Sequence, residues 1–436
     1  MLAQMSSKTE NCEVTKIEQS SYSFKLASWS IAGLALSLAV SKAGLSIFSV
    51  LLLLAFLSFW VTNREHFRFS QMSNLTKAIL GLIVLGAVCS LFSYGGVASL
   101  KDYAGKGSLL LVLPISLLFL QYESVRTRAL YALVLGTIIA SSYSIYSWSQ
   151  VYAAGAQGAL LRVGSFWDMG RWGEFICYFL VLMTPLLFST QSKASKWLFI
   201  AGYIFAIVAL LTSGSRAPLL ATILMTGVYF VLFNRRLLVP FLVLFVVLIG
   251  VIYLSVPTLI EYTILRLKSI FDFTDRSNLG RINIWINALA FFQYNLTHDI
   301  RSVLFGSGFE NLESTFEAFL HSTDRYNDMM TLSSGEASTT DHHNALLNVI
   351  NRMGLVYLVG LAISGYYAAK ALLSRVRLSP SNVWYQSALL VAMSYLICGI
   401  FYSNELNYQT LMAAFMCVLA VRFGDAILKK ESQSHV

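Results

Sequence analysis

Two adjacent histidines, His342 and His343, lie in the run Asp341-His342-His343-Asn344 of a chain that has only six. Imidazole changes charge near neutral pH, so the pair concentrates groups able to accept a proton. The plain alternative is a helix N-terminus whose polar residues do no more than cap it. A base also needs a partner for negative charge, and two arginines are candidates. Arg216 sits in the short turn Thr212-Ser213-Gly214-Ser215-Arg216-Ala217 between two apolar runs, and Arg281 opens the stretch Gly280-Arg281-Ile282-Asn283-Ile284-Trp285. A guanidinium stays charged and presents a planar fork suited to phosphate oxygens. The alternatives are snorkelling to lipid headgroups for Arg216 and a solvated helix start for Arg281. Arg162 and Arg171, flanked by Trp167 and Trp172, read more simply as interfacial anchors.

After the histidines, Asn344, Asn348 and Asn351 recur at a spacing that puts them on one narrow helical face. A polar stripe at the entry of an apolar helix must face protein or a wet cavity. On that wheel His343 lies about 80° from Asn351, whereas Arg352 falls opposite and is not its partner.

The elements that position these residues follow from composition. The chain has 436 residues, is 56% hydrophobic and 12% charged, and has a mean hydropathy of +0.65. Soluble domains carry about 25% charged residues, so the chain reads as an all-α polytopic membrane protein. Its net charge of +9 then reflects basic cytoplasmic loops, not nucleic-acid binding. Cys12, Cys89, Cys177, Cys398 and Cys417 lie mostly in apolar runs and form no disulfide framework or zinc spacing. The polar N-terminus lacks the basic region and cleavage site of a removable signal peptide.

Twelve apolar runs are long enough, or nearly so, to cross about 30 Å of hydrocarbon. They are 26–40, 45–61, 78–94, 109–120, 129–151, 175–188, 197–211, 217–233, 237–254, 353–373, 384–402 and 408–421. Backbone polar groups must be satisfied internally in lipid, and continuous rather than alternating apolarity selects helices. With the N-terminus inside, every cytoplasmic segment is basic: Lys8, Lys16 and Lys25; Arg64, Arg68 and Lys77; Arg126 and Arg128; Lys193 and Lys196; Arg235 and Arg236; Lys370, Arg375 and Arg377; Arg422, Lys429 and Lys430. Both termini are therefore expected in the cytoplasm. The resulting division is 1–254 for spans one to nine, 255–352 for a large, partly helical extracytoplasmic segment, and 353–436 for spans ten to twelve and a tail.

That segment holds eleven of the 22 acidic residues. Its apolar residues recur at helical spacing twice, at Leu259, Ile260, Ile264, Leu267 and Phe271 and at Ile282, Trp285, Leu289 and Phe292, which predicts amphipathic helices against the membrane or bundle. Gly306-Ser307-Gly308 and the polar run from Thr331 to Asp341 suit turns and a mobile lid.

In their order and spacing, the Arg216 turn, Gly280-Arg281 with Trp285, Gly306-Ser307-Gly308, and His343-Asn344 with Leu346, Leu347, Gly354 and Leu355 resemble the O-antigen ligase and polysaccharide polymerase family of bacterial inner-membrane glycosyltransferases. The motif-bearing part covers about 212–360. The resemblance implies twelve helices with a large periplasmic segment between the ninth and tenth. It implies a glycan donor carried on undecaprenyl pyrophosphate and, in the ligases, a lipid A core acceptor. It places the family's histidine on His343 and its arginines on Arg216 and Arg281, with Asn344 and Trp285 beside them. The doubled histidine departs from the pattern and leaves His342 as a substitute for either role.

The chemistry suits these residue types. A neutral histidine can deprotonate an acceptor hydroxyl, and fixed arginines can stabilise a departing pyrophosphate. No Asp-x-Asp pair occurs in the extracytoplasmic segment, and the Asp272 and Asp275 spacing is weak for a metal. The expectation is metal-independent, inverting transfer without a cofactor. A ligase is favoured over a polymerase that joins carrier-linked repeats. A transporter is disfavoured, because the only large loop follows the ninth span and breaks the symmetry of two six-span halves.

Overall fold

The computed structural model describes residues 21–62, 72–156, 158–189, 193–332, 339–403 and 408–434, and among these it contains helices and connecting turns without a strand. Lys8, Cys12, Lys16, Arg64, Arg68 and positions 333–338 of the polar run lie outside the described residues. In chain order the helices are α1 (Tyr22–Val40), α2 (Lys42–Thr62), α3 (Asn74–Phe92), α4 (Gly96–Gly107), α5 (Val112–Phe119), α6 (Glu123–Ala153), α7 (Met169–Leu187), α8 (Lys193–Ser213) and α9 (Arg216–Leu232). They continue with α10 (Leu238–Ser255), α11 (Pro257–Lys268), α12 (Arg276–His298), α13 (Ile300–Phe305), α14 (Leu312–Ser322), α15 (Tyr326–Leu332), α16 (Ala345–Leu378), α17 (Val383–Phe401) and α18 (Tyr408–Ser434).

Among the described residues, ten helical stretches are long and apolar enough to cross a membrane, with α4 and α5 together forming one of them. The other two of the twelve apolar runs are also helical. The first, α7, begins six residues before its apolar run and takes Arg171 and Glu174 into its first turns, and the second, α9, has 17 residues. A helix apolar all round is either a core or a lipid-facing element, and the fold uses both. Every residue of α7 from Trp172 to Leu186 is buried, and this helix touches α8, α9, α17 and α18. No residue of α10 is buried, although the helix is almost wholly apolar, so its surface requires a lipid solvent.

The described residues between 256 and 344 pack on one end of this bundle. Arg301 donates to the carbonyl oxygens of Phe92 (2.8 Å) and Ser93 (3.0 Å) at the end of α3, and the Phe309 N–H donates to Ser99 Oγ in α4 (2.8 Å). In α12, Ile284 and Phe291 pack with Leu312, Phe316, Phe319 and Leu320 of α14 in a small separate core. The stripe read from the sequence is a different face of α12: Leu289 is exposed, while Ile282 and Trp285 line a cleft. The helix is apolar on two sides, and α14 covers the one that carries Ile284.

The longest helix, α16, is broken at Gly354, where φ is 78° and ψ is 175°. That backbone region belongs to glycine alone. The Gly306-Ser307-Gly308 turn fills the break: the Ser307 and Gly308 N–H groups donate to the carbonyl oxygens of Asn351 (2.9 Å) and Arg352 (3.0 Å). A Cβ on Gly354 would strike the Leu304 carbonyl, and one on Gly306 the Arg352 carbonyl. The turn expected in a mobile lid is therefore a packed joint, with Ser307 fully buried.

Candidate active site

The joint sets the position of the first nine residues of α16 and of the run that precedes them. Asn344 caps the helix, its Oδ1 accepting from the Leu346 (3.0 Å) and Leu347 (3.1 Å) N–H groups while its Nδ2 donates to the Ile400 carbonyl (3.0 Å). Capping thus explains Asn344 and leaves the histidines to be explained otherwise. His343 has a φ of +46°, uncommon for a residue with a Cβ. This turn brings its ring back onto Asp341: Nδ1 is 3.0 Å from Asp341 Oδ1, which also accepts the His343 N–H at 2.8 Å. Burial acts to raise the Asp341 carboxyl, but His343, the Ser403 hydroxyl, the His343 N–H and Arg352 outweigh it and hold it below the ordinary carboxylate range. An ionised carboxylate only accepts, so a neutral His343 ring carries its proton on Nδ1 and has its basic lone pair on Nε2. The ring is 34% exposed, enough to meet a substrate.

His342 is its opposite. It has no exposed surface, its ring lies edge-on to Phe316 at 4.8 Å, and among the described residues neither ring nitrogen has a hydrogen-bond partner. Burial, with the Arg352 charge acting the same way, pushes its pKa from 6.5 down to about 3. The ring is neutral and enclosed, so the role of substitute base left open by the doubled histidine does not fit it.

Arg216 is buried and fully engaged. Its Nη1 donates to Ser269 Oγ (3.0 Å) and pairs with Asp275 (3.0 Å), and its Nη2 donates to Ser277 Oγ (2.7 Å). Snorkelling is therefore not its state, because the fork clasps the loop before α12 onto the start of α9. Arg281 differs: among the described residues it forms no ion pair, and its guanidinium lies over the Tyr402 ring at 5.5 Å. Burial lowers its pKa from the ordinary arginine value, with Tyr402 opposing. Both arginines line a cavity of about 120 Å³ that also includes Asn278, Ile282, Trp285 and Phe401. Trp285 is the shared wall, since its Nε1–H also donates to the His343 carbonyl at 3.3 Å. Trp285 thus touches the His343 main chain and lines the cavity that Arg281 and Arg216 share.

Asn348 Oδ1 accepts the His342 N–H (3.4 Å) and Asn351 donates to the Ala288 carbonyl (3.0 Å), so the polar stripe faces protein. Arg352 is buried and donates to the Thr340 carbonyl (2.9 Å), and its charge helps to keep the Asp341 carboxyl ionised, a proximity that the helical wheel did not suggest. Arg171 pairs with Asp168 (3.0 Å) and Arg162 donates to the Ser213 carbonyl (3.4 Å). Trp167 and Trp172 beside them are buried, Trp172 within α7 and Trp167 with its Nε1–H donating to the Leu38 carbonyl (2.9 Å). Asp272 accepts from Thr274 and Asp275 is taken by Arg216. The partnership of Asp341 was missed, although its place two residues before His343 was the available signal.

These features define a polytopic helical membrane protein whose polar site is built at one end of the bundle. Residues 201–362 match the family model described as O-antigen ligase, and the resemblance to the O-antigen ligase and polymerase family holds over that stretch. No curated protein matches the chain. The family is one of glycosyltransferase-like enzymes acting on lipid-linked glycans.

Proposed function

We propose that the chain is an O-antigen ligase that moves a glycan from undecaprenyl pyrophosphate to the lipid A core oligosaccharide, on the periplasmic side of the bacterial inner membrane. Residues 255–352 then form the periplasmic part between spans nine and ten, and both termini are cytoplasmic. The observation that carries the reading is Trp285, which donates to the main-chain carbonyl of the Asp341-paired His343 and lines the cavity shared by Arg281 and Arg216.

In the proposed step, His343 Nε2 takes the proton of an acceptor hydroxyl, and its oxygen attacks the anomeric carbon of the donor sugar. The bond from that carbon to the pyrophosphate oxygen breaks, the pyrophosphate keeps the electron pair, and configuration inverts. Asp341 holds the ring and stabilises the imidazolium that forms, as an orienting carboxylate does for a histidine base. Arg281, with no carboxylate partner, receives the developing negative charge, and Arg216 holds the cavity wall through its clasp.

The deciding experiment incubates purified protein with lipid-linked glycan and either lipid A core or further carrier-linked repeat. Product on lipid A core supports the ligase; longer carrier-linked chains would instead make the protein a polymerase. The step is proposed to need no metal: loss of transfer in a chelator, restored by magnesium, would refute that part.

A further inference from the structure

A second cavity shares no lining residue with the candidate site. It has a volume of about 720 Å³ and opens between α3, α5, α16, α17 and α18. Small residues create the space, among them Gly365, Ala368, Ala392 and Ala414, and a Cβ added to Gly365 would meet nothing within 4 Å. Along α18 the lining runs from Thr410 to Arg422, about 18 Å at 1.5 Å per residue. This is close to the hydrocarbon depth of one leaflet, about 15 Å.

One end of the cavity is charged. Lys370, Arg375 and Arg422 line it, and the two arginines share one carboxylate, Asp425, at 2.8 and 3.5 Å. Among the described residues this leaves the group with a surplus of positive charge. This basic end is the one away from the candidate site. Helix α16 starts at the site with its Asn344 cap and reaches Arg375 near its other end, and α17 returns from Val383 to Phe401 beside Trp285.

We propose that this cavity binds an anionic phospholipid of the surrounding bilayer, with an acyl chain between α16 and α18 and its phosphate at Lys370, Arg375 and Arg422. The length suits a single-leaflet chain and the basic end suits an anionic headgroup. A polyprenyl donor is disfavoured, because its pyrophosphate must lie at the opposite end, beside Arg281.

The test is native mass spectrometry of the full-length protein, delipidated in mild detergent and titrated with phosphatidylglycerol or phosphatidylcholine of equal chain length. One phosphatidylglycerol should be retained, about fivefold more tightly than phosphatidylcholine. The double variant Gly365→Leu/Ala414→Leu should weaken retention about tenfold by displacing two or so methylenes of the chain. Undiminished retention in the folded double variant overturns the proposal, as does stoichiometric displacement of phosphatidylglycerol by undecaprenyl phosphate. Should the double variant misfold, Lys370→Gln decides, because its side chain is exposed: an unchanged preference for phosphatidylglycerol over phosphatidylcholine sinks the headgroup assignment.

Discussion

Acid should destabilise this protein through His342, and His342→Leu should remove that sensitivity. In the fold the ring is fully enclosed and titrates at about 3, against an ordinary value of 6.5. Below pH 6.5 the unfolded chain therefore binds a proton that the folded chain refuses until about pH 3. Stability from this group is complete above pH 6.5 and declines as pH falls through that window. At about 1.4 kcal/mol per pH decade, the loss at pH 5 is about 2 kcal/mol. Leucine fills a similar volume beside Phe316 and leaves no unpaired nitrogen. The assay is thermal unfolding of purified wild type and His342→Leu at pH 7.5 and pH 5. The variant should lose less on acidification, by a difference on the order of 2–4 °C in Tm. The other histidines are common to both proteins and cancel in the comparison. An identical acid shift in wild type and variant would refute the assignment of His342 as a buried neutral ring.

Further outcomes concern the site. His343→Ala should reduce transfer by about 10²- to 10⁴-fold while the donor still binds; full activity would remove His343 as base. Asp341→Asn keeps the shape but loses a charge-assisted contact, and kcat should fall about 10- to 100-fold with KM little changed. Arg281→Ala should weaken binding of inorganic pyrophosphate without changing Tm, whereas Arg216→Ala strands Asp275 and should cost about 3 kcal/mol or more of stability; the reverse pattern would exchange their roles. Gly354→Ala places a Cβ against the Leu304 carbonyl, and loss of folded protein in detergent is expected, measured by size-exclusion profile.

Much of the helical frame was legible because lipid enforces a simple rule: a run of apolar residues must be a helix. The rule finds α10, which has little else to recommend it. It is blunt for α7, whose Glu174 is buried in protein and whose Arg171 pairs with Asp168, and for the break in α16, which an unbroken apolar run conceals. At the site, residue types and spacing pointed to the histidine pair, Arg216 and Arg281, and only the family resemblance singled out His343. The difference between His342 and His343 was not legible, since it depends on the left-handed turn at His343 and on Phe316 arriving from α14. Nor was the partner of Arg216, because Asp275 lies 59 residues on and no short-range pattern links them.

The joint between Gly306-Ser307-Gly308 and Gly354 is made of main-chain amides and carbonyls. Substitutions of side chains beside it leave these main-chain bonds available, whereas a Cβ on Gly306 or Gly354 does not. A surface that keeps its registration under such turnover can acquire a new acceptor preference one residue at a time. The most substitution-intolerant positions of this region should then include glycines that never touch a substrate, and a scan for indispensable residues would score the hinge pin alongside the base.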